Sequence, residues 1–313
     1  MAFILGENSG GSYTVSDYVD EPELIVDEIV SIVQDAAIEN VFYSDDGETT
    51  ASAIIFKQRV SPFLSESPHE VAEFEEIPTA DIRVGDDKVE KAFKIAEGLR
   101  VSYEMIKDNR IDLLSRGVEQ LANEFLYASA RQGLDRVKAA TDEHSQVVTA
   151  SVPWSTVTAE IGQDVLRACA MVSSALVDGD VDDERKAALG YTPDTLVMHP
   201  SVWYNIIGNK TIQAAFIGAN SGDNPYFKGF QPYKPWGLDV AVSQYVDPKQ
   251  VYVLQAKKPG GKKFLDRPQV TPLYSPHGDS GIGGATMEYR ADIMERSIRA
   301  LYDPKAVARI QVG

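Results

Sequence analysis

The sequence predicts an α+β fold, because one long amphipathic helix lies among many short strand-like runs. The helix signal is a set of apolar residues that recur three and four positions apart between residues 111 and 128. Strand-like runs lie on both sides of it, including residues 53–60 and 285–293. No internal repeat or low-complexity tract interrupts this order.

Composition limits the class of protein. The 313 residues are 43% hydrophobic and 25% charged, which is typical of a globular protein. The sequence has no apolar run long enough to predict a membrane helix. The N-terminus has no basic region followed by an apolar stretch, so no signal peptide is expected. The net charge of −17 disfavours sequence-reading contact with nucleic acid. It also makes identical copies repel, so self-assembly would need shape and apolar burial.

The first 84 residues are mostly extended. Residues 1–20 predict a polar arm, and 22–34 predict a short acidic amphipathic helix that includes Leu24 and Ile25. Two extended runs, 53–60 and 71–84, predict a long β-hairpin loop over residues 50–84. Since two strands alone are marginal in water, we expect the arm and hairpin to finish folding on a neighbouring chain. A hairpin packed on its own domain is the alternative.

The middle of the chain carries the clearest patterns. Residues 89–101 predict one half-buried strand, and the long helix is expected to run to about residue 138 after a cap at Asp108 or Asn109. Residues 155–177 predict a second amphipathic helix. It contains Cys169, which is expected to be a buried thiol and not a nucleophile. With one cysteine, no intramolecular disulfide can form.

The rest of the chain predicts mostly short elements. Short strands are expected at 195–198, 240–242 and 251–254, with a short helix at 201–207. A long strand is expected at 285–293, and one more strand at 307–312. Half of the 16 prolines lie between residues 225 and 276, which predicts loops and short strands there. Four lysines near a glycine turn predict an exposed basic hairpin tip, with a site for DNA phosphates as the sharper alternative: Lys257, Lys258, Lys262 and Lys263.

Catalytic residues are not expected. Residues 278–281, Gly-Asp-Ser-Gly, match the short sequence around the nucleophile of trypsin-like serine proteases, with Ser280 in the nucleophile's place. Such a serine needs a histidine base and an orienting carboxylate. His144 and His199 do not lie in the context that those enzymes use, and their paired cysteines are missing. A glycine-rich turn is the favoured interpretation.

Metal and cofactor sites are not expected either. Residues 178–184 place carboxylates as an EF-hand loop does, but Asp183 stands where that loop needs glycine and Leu189 where it needs glutamate. The four histidines are scattered and form no pair at ligand spacing. The glycines of 281–284 lead into a strand, whereas a phosphate loop leads into a helix.

The order of these elements, with several local motifs, resembles the major capsid proteins of tailed bacteriophages. The motifs are Gly-Leu-Arg-Val-Ser-Tyr-Glu-Met-Ile-Lys-Asp at 98–108, Pro-Asp-Thr-Leu-Val-Met-His-Pro-Ser-Val-Trp at 193–203, Tyr-Arg-Ala-Asp at 289–292 and Asp-Pro-Lys-Ala-Val at 303–307. The motif at 98–108 is similar to the segment that leads into the long spine helix in that family. The motif at 193–203 is similar to a strand followed by a helix in that family's axial domain. The resemblance covers essentially the whole chain.

The resemblance implies the capsid fold typified by the coliphage Hong Kong ninety-seven. It assigns residues 1–35 to an N-terminal arm and 50–84 to the extended β-hairpin loop. A peripheral domain with the spine helix would comprise 85–145 and 285–313, and an axial α/β domain would comprise 150–280. Some relatives crosslink their subunits through a lysine and an asparagine, but nothing in the sequence marks Lys57 as a crosslinker.

The resemblance also implies the function. A subunit of this family assembles into hexamers and pentamers of an icosahedral head, which encloses double-stranded DNA contacted without sequence specificity. Its partners would be copies of itself and portal, scaffolding or decoration proteins, and it would assemble in the host cytoplasm and reside in the virion. No membrane partner is expected. Contacts between subunits are expected at Ile54, Phe56, Lys57, Arg59, Phe63, Leu64, Glu73, Phe74 and Glu75 of the loop and at Leu24 and Ile25 of the arm.

Other functions remain open at this point. An encapsulin, a shell of the same fold that encloses a cargo enzyme, is the first alternative. A hydrolase that uses Ser280 is a second, and a tail or decoration protein is a third. Particles filled with DNA would favour the virus, a co-purifying enzyme the encapsulin, and labelling of Ser280 by a fluorophosphonate the hydrolase.

Overall fold

The structure is a computed structural model that describes residues 38–58, 87–108, 111–176, 188–215, 234–276 and 287–313, with scattered residues between 64 and 85. Side chains are described throughout these ranges except at 111–115 and 214–215. The predicted arm at 1–35, the acidic loop at 178–184 and the turn at 278–281 lie outside the described residues. Within them, no helix is long and apolar enough to cross a membrane.

Helices and strands are interspersed along the described chain. The helices are α1 (Glu39–Phe42), α2 (Tyr103–Lys107), α3 (Ile111–Glu143), α4 (Ile161–Ser173), α5 (Pro200–Gly208) and α6 (Lys210–Ala215). The strands are β1 (Tyr43–Glu48), β2 (Ala53–Lys57), β3 (Asp87–Lys91), β4 (Phe93–Ser102), β5 (Val147–Thr149), β6 (Thr195–Met198), β7 (Asp239–Val242), β8 (Gln250–Leu254), β9 (Gly260–Val270), β10 (Glu288–Ala300) and β11 (Val307–Gln311).

The strands form two sheets and a separate ribbon. The first sheet has the order β1-β9-β10-β4, in which β1 runs parallel to β9 and the other pairs are antiparallel. The second has the order β5-β11-β8-β6-β7, with β5 parallel to β11 and β6 parallel to β7. Strands β2 and β3 pair only with each other among the described residues, and we call this antiparallel pair the ribbon.

Helix α3 connects the two sheets. Val118 and Phe125, on its first half, are buried in one apolar cluster with Ile293 of β10. Val137, on its second half, is buried in a cluster with Val197 of β6, which belongs to the second sheet. The periodicity predicted Val118 and Phe125 as core positions but did not extend to Val137. The helix continues to Glu143, past the predicted end near 138.

The central strands of the second sheet, β6, β8 and β11, are buried on both faces, which explains why β6 is an almost continuous apolar run. Leu196 packs with Val165 of α4 on one face, and Val197 packs with the α3 side on the other. Such strands have no alternating pattern, since neither face meets water. The predicted strands at 195–198, 240–242 and 251–254 are confirmed within one residue at each end.

Two strand predictions near the hairpin were wrong. The single strand expected at 89–101 is split at Ala92, whose N–H donates to the Ser52 carbonyl, so that β3 pairs with β2 and β4 pairs with β10. Val89 is therefore exposed, whereas Ile95 is buried. The return strand expected within 71–84 is β3 instead, and the described residues from 71 to 82 form no strand.

Three other boundaries differ from the predictions. Asp108 ends α2 and does not begin α3, while Asn109 lies outside the described residues. Helix α4 is shorter than the predicted 155–177, and Val157 lies before it with its side chain exposed. Strand β9 is 11 residues long, so the proline-rich region does not contain only short strands. Pro268 is tolerated in it near the end that does not pair with β1.

Candidate inter-subunit surface

The ribbon presents one face to solvent. Its side chains alternate between half-buried and exposed along both strands. Ile55 and Val89 are direct cross-strand partners on the exposed face, with 72% and 57% of their surface accessible. A two-stranded ribbon gains little stability by itself, so an apolar pair of this kind favours cover by another surface.

The opposite face of the ribbon is fixed to the body of the molecule. Phe56 packs edge-on against Tyr302, with ring centroids 5.3 Å apart. Glu90 accepts a 2.7 Å hydrogen bond from Arg136 of α3, and Lys88 lies 3.1 Å from the carboxylate of Glu143. These contacts set the direction in which the ribbon leaves the body.

A buried charge cluster lies beneath the base of the ribbon. The Arg299 guanidinium donates to both carboxylate oxygens of Glu39, at 2.9 to 3.2 Å. Lys262 bridges the carboxylates of Glu39 and Glu295, at 3.1 and 2.9 Å. All four side chains are at most 12% exposed, and their two positive and two negative charges balance. Buried charges are tolerated when they are paired in this way.

Further polar contacts link this cluster to α3 and the ribbon. Arg299 donates to the hydroxyls of Ser129 at 2.7 Å and Ser297 at 3.0 Å. Arg136, the partner of Glu90 in the ribbon, also donates to the Arg299 carbonyl at 2.7 Å. Both guanidinium groups lie over the Phe93 ring, with that of Arg299 at 4.6 Å and that of Arg136 at 5.2 Å from its centroid. The cluster thus joins α1, α3, β9, β10 and the ribbon.

The predicted basic hairpin tip was wrong. Lys262 lies within β9 and is neutralised by Glu39 and Glu295 in the buried cluster. Lys263 follows it in the same strand, and only Lys257 and Lys258 lie on the turn. Lys258 lies 4.0 Å from Asp303. The four lysines therefore form no single exposed patch for phosphates.

The structure places some of the predicted contact residues on or beyond the ribbon. Ile54 and Phe56 are on its half-buried face, and Lys57 is exposed and lies 3.7 Å from Asp87. Leu64, Glu73 and Phe74 are exposed, and the side chain of Phe74 is almost completely so. The remaining predicted residues lie outside the described ones: Leu24, Ile25, Arg59, Phe63 and Glu75.

Several strongly exposed apolar residues were not among the predicted contacts. Ile55 and Val89 form the outer face of the ribbon, and Ile77 and Ile82 are 78% and 79% exposed beyond it. Because side chains alternate between the two faces of a strand, residues 53–57 could have been assigned to two sides of β2 from the sequence. The sequence does not show which of these sides meets solvent. That choice depends on Tyr302, 246 residues after Phe56.

A groove lies between β4 and the first half of α3. It has a volume of about 570 Å³, and Tyr127 and Tyr245 are among the residues that line it. Their rings are 6.3 Å apart, and Tyr245 donates to Asn123 at 3.5 Å. Gly117 brings the helix close to β4, since a Cβ there would lie 2.9 Å from Leu99. The lining residues include two carboxylates and no basic side chain: Glu97, Gly98, Leu99, Gly117, Gln120, Leu121, Asn123, Glu124, Tyr127 and Tyr245.

Among the groups considered as catalytic candidates, His199 has a structural role. The His199 Nδ1 atom accepts from the Ser201 N–H at 3.1 Å and so caps α5. Cys169 is partly buried, and desolvation raises the pKa of its thiol. Among the described residues, no group of three or more His, Cys, Asp or Glu side chains is arranged to hold a metal ion. Ser280 lies outside them.

Comparison with known proteins gives a consistent result. The sequence matches the model of a family described as phage capsid protein over residues 87–310. The structure is similar to a chain from Mycobacterium phage Bobi (TM-score 0.60, 14% identity, 88% of this chain and 90% of that chain covered). It is also similar to a virus-like particle from Pyrococcus furiosus (TM-score 0.55, 11% identity, 92% and 98% covered). No curated protein matches the sequence.

The likenesses to solved structures, at these low identities, concern the fold. They cover 88% and 92% of this chain. They confirm the α+β capsid fold predicted from the sequence.

Proposed function

The chain belongs to the phage capsid protein family, and we propose that it is a major capsid protein whose copies form the hexamers and pentamers of an icosahedral phage head. A capsid shell protein is a structural component of the virion, and this role needs no catalytic residue. The observation that carries the more specific proposal is the ribbon, which has one face fixed to the body and the other, with Ile55 and Val89, open.

Apolar cover for this face comes from a neighbouring copy. Ile55, Val89, Ile77, Ile82 and Phe74 are all more than half exposed in the single chain. Full burial of side chains of this size contributes about 1.5–3 kcal/mol each. An interface that buried several of them would offset part of the repulsion that the net charge of −17 creates between copies. We expect interfaces of standard size, about 1,200–2,000 Å² each.

The arm at 1–35 and the loop at 50–84 would both lie across neighbours. We keep the assignment of 85–145 and 285–313 to a peripheral domain and of 150–280 to an axial domain as a proposal. Strand pairing would change these domain boundaries. Strand β9, within 150–280, pairs with β10, and strand β11, within 285–313, pairs with β5 and β8. The first sheet with the first half of α3 would then form the peripheral region, and the second sheet with α4 the axial region.

Double-stranded DNA would fill the shell without specific contact. The net charge is strongly negative, and the lysines at 257–263 do not form the basic patch that phosphate binding requires. Portal, scaffolding or decoration proteins would complete the head, and assembly would take place in the host cytoplasm. No catalytic role is proposed for Ser280.

The test is purification of the full chain, followed by size-exclusion chromatography and negative-stain microscopy. Closed shells support the proposal. A stable monomer that forms no particle under any salt or scaffold condition overturns it, and tubes would indicate a tail protein instead.

A cellular compartment is the second candidate, favoured by the likeness to the virus-like particle from Pyrococcus furiosus. In that case the shell would be of the encapsulin type and would enclose a cargo enzyme. Particles purified from the native host separate the two functions. Nuclease-protected double-stranded DNA favours the phage head, whereas a stoichiometric second protein without nucleic acid favours the compartment.

A further inference from the structure

Tyr302 follows β10 and contacts both β1 and the ribbon, and we infer that it is the positioning residue that sets the direction in which the ribbon leaves the body. Through that direction it determines the size of the shell into which the copies close. The inference rests on the proposed function, in which the loop lies across neighbouring copies. It goes beyond that function by naming the side chain that controls the geometry of assembly.

The phenol of Tyr302 is held on the side of β1. Its hydroxyl donates to the Asp46 Oδ2 atom at 2.7 Å, and the Ser44 hydroxyl donates to the other oxygen of the same carboxylate at 2.8 Å. Burial and the hydrogen bond to Asp46 raise the pKa of Tyr302, so the phenol keeps the proton that it donates. Asp46 lies where the register of β1 against β9 shifts. The bond therefore joins the end of β10 to the part of β1 from which the chain enters the ribbon.

Strand β9 leaves the space that this arrangement needs. A Cβ atom at position 261, where the residue is Gly261, would lie 2.7 Å from the Tyr302 ring and closer still to the Asp46 carboxylate. The strand also holds β1 in place, because Arg267 donates to the carboxylate of Glu48 at 3.0 Å. The Tyr302 ring is thus fixed by a hydrogen bond and by close packing before it meets the ribbon.

The contact between Tyr302 and Phe56 is stiffer than the ion pairs of the ribbon. The two ion pairs that link β3 to α3 are formed by long side chains, each at least 29% exposed. Exposed ion pairs of this kind contribute little and let the strand move through a range of directions. The two rings meet edge to face, with centroids 5.3 Å apart and planes at 88°. Such pairs prefer defined geometries, so Tyr302 restricts the ribbon more than the ion pairs do.

The direction of the ribbon matters because the rotation that relates neighbours differs between a hexamer and a pentamer. A loop that lies across a neighbour leaves the body within the range of directions that both rings use. A narrow range lets the copies close into shells of one size, since closure depends on the rotation between neighbours. A wider range admits rings and shells of other sizes.

The test compares variants of the full chain. Tyr302→Phe keeps the ring beside Phe56 and removes the hydroxyl, and Asp46→Ala removes the acceptor. Asp46→Asn keeps an oxygen that accepts from Tyr302, so it is the conservative variant. Tyr274→Phe is the matched control, because the Tyr274 hydroxyl also donates to a carboxylate, that of Asp292 toward the start of β10.

We expect Tyr302→Phe and Asp46→Ala to fold and to assemble. In unassembled subunits the amides of β2 and β3 should exchange about tenfold faster than in the wild type. Particle diameters, measured by electron microscopy, should be distributed at least twice as broadly. The double variant should be no worse than either single one, since both substitutions remove the same bond. Asp46→Asn and Tyr274→Phe should behave as the wild type does.

Wild-type exchange and diameters in Tyr302→Phe would overturn the inference, and so would effects that add in the double variant. A lower yield of particles with unchanged diameters would also overturn it, because a merely structural role for Tyr302 would give that result. An equal spread of diameters in Tyr274→Phe would count against it for the same reason. Failure of the wild-type chain to form any shell would instead overturn the proposed function, while hydrogen exchange of the ribbon would still test the role of Tyr302.

Discussion

Arg299 of β10 and Glu39 of α1 are separated by 260 residues, yet they form a buried ion pair with three hydrogen bonds. The Arg299 side chain is fully buried, and that of Glu39 is 5% exposed. Glu39 lies at the start of the described chain, and Arg299 donates to Ser129 of α3. This pair therefore fixes the place at which residues 1–37 join the body, close to the base of the ribbon.

Glu39→Gln should destabilise the subunit strongly. The substitution keeps the size of the side chain but leaves Arg299 and Lys262 with one carboxylate, Glu295, between them. Removing one partner of a buried ion pair costs about 3–5 kcal/mol. The measurement is urea unfolding of unassembled subunits. Arg131→Gln is the control, because its pair with Asp135 is exposed and should contribute less than about 1 kcal/mol. Equal effects of the two substitutions would contradict the role of the buried pair.

Ile55→Ser and Phe56→Ala should separate assembly from folding. Ile55 is 72% exposed, so its substitution should change the free energy of unfolding by less than about 0.5 kcal/mol, while particle yield falls. Phe56 contacts Tyr302, so its loss should increase hydrogen exchange in the ribbon even in unassembled subunits. Light scattering and hydrogen exchange give the two readouts. Wild-type assembly by Ile55→Ser would count against the exposed face as an interface.

Tyr43 should make the subunit sensitive to alkaline pH. Burial raises the pKa of its phenol above the ordinary value of 10.0, and the hydroxyl donates to the Gly133 carbonyl. The unfolded chain therefore releases this proton at a lower pH than the folded chain does. The stabilisation is complete below about pH 10 and is lost above it, by up to about 1.4 kcal/mol per pH unit.

Comparing the wild type with Tyr43→Phe separates the titration of Tyr43 from that of the lysines, which lose their protons in the same pH range. Urea midpoints between pH 8 and pH 11.5 should fall less steeply for Tyr43→Phe. Tyr252 and Tyr302 also have pKa values raised by burial, so part of the alkaline loss should remain in the variant. Parallel curves for the two proteins would show that Tyr43 does not titrate differently on unfolding.

Cys169 should react slowly in the folded subunit. Desolvation raises the pKa of its thiol, which lowers the fraction of reactive thiolate at pH 8. Labelling with a chromogenic disulfide reagent should be at least tenfold slower in native subunits than in urea. Equal rates would mean that the thiol is as accessible in the folded chain as in the unfolded one.

Local periodicity was enough where the apolar pattern alone shows which faces of an element are buried. The spacing of Val118, Leu121 and Phe125 predicted the buried side of α3 correctly. The continuous run of β6 was recognised because it is apolar on both faces. The family resemblance also gave the correct fold class, since it rests on the order of elements along the chain and not on their contacts.

The failures involve residues whose environment is set by distant partners. Lys262 looked like part of an exposed turn, but Glu39 lies 223 residues before it and Glu295 lies 33 residues after it. No local pattern could indicate those pairs. Val89 was placed on a buried face because it shares the alternation of Ile95, and the split at Ala92 is fixed by the carbonyl of Ser52. The exposed face of the ribbon was missed for the same reason.

The central claim is that the open face of the ribbon is covered by another copy of the chain. Cryo-electron microscopy of assembled particles, at a resolution that shows side chains, tests it directly. We predict that Ile55 and Val89 lie against a neighbouring subunit in every hexamer and pentamer. A shell in which both side chains face solvent, or pack on the body of their own subunit, would contradict the claim.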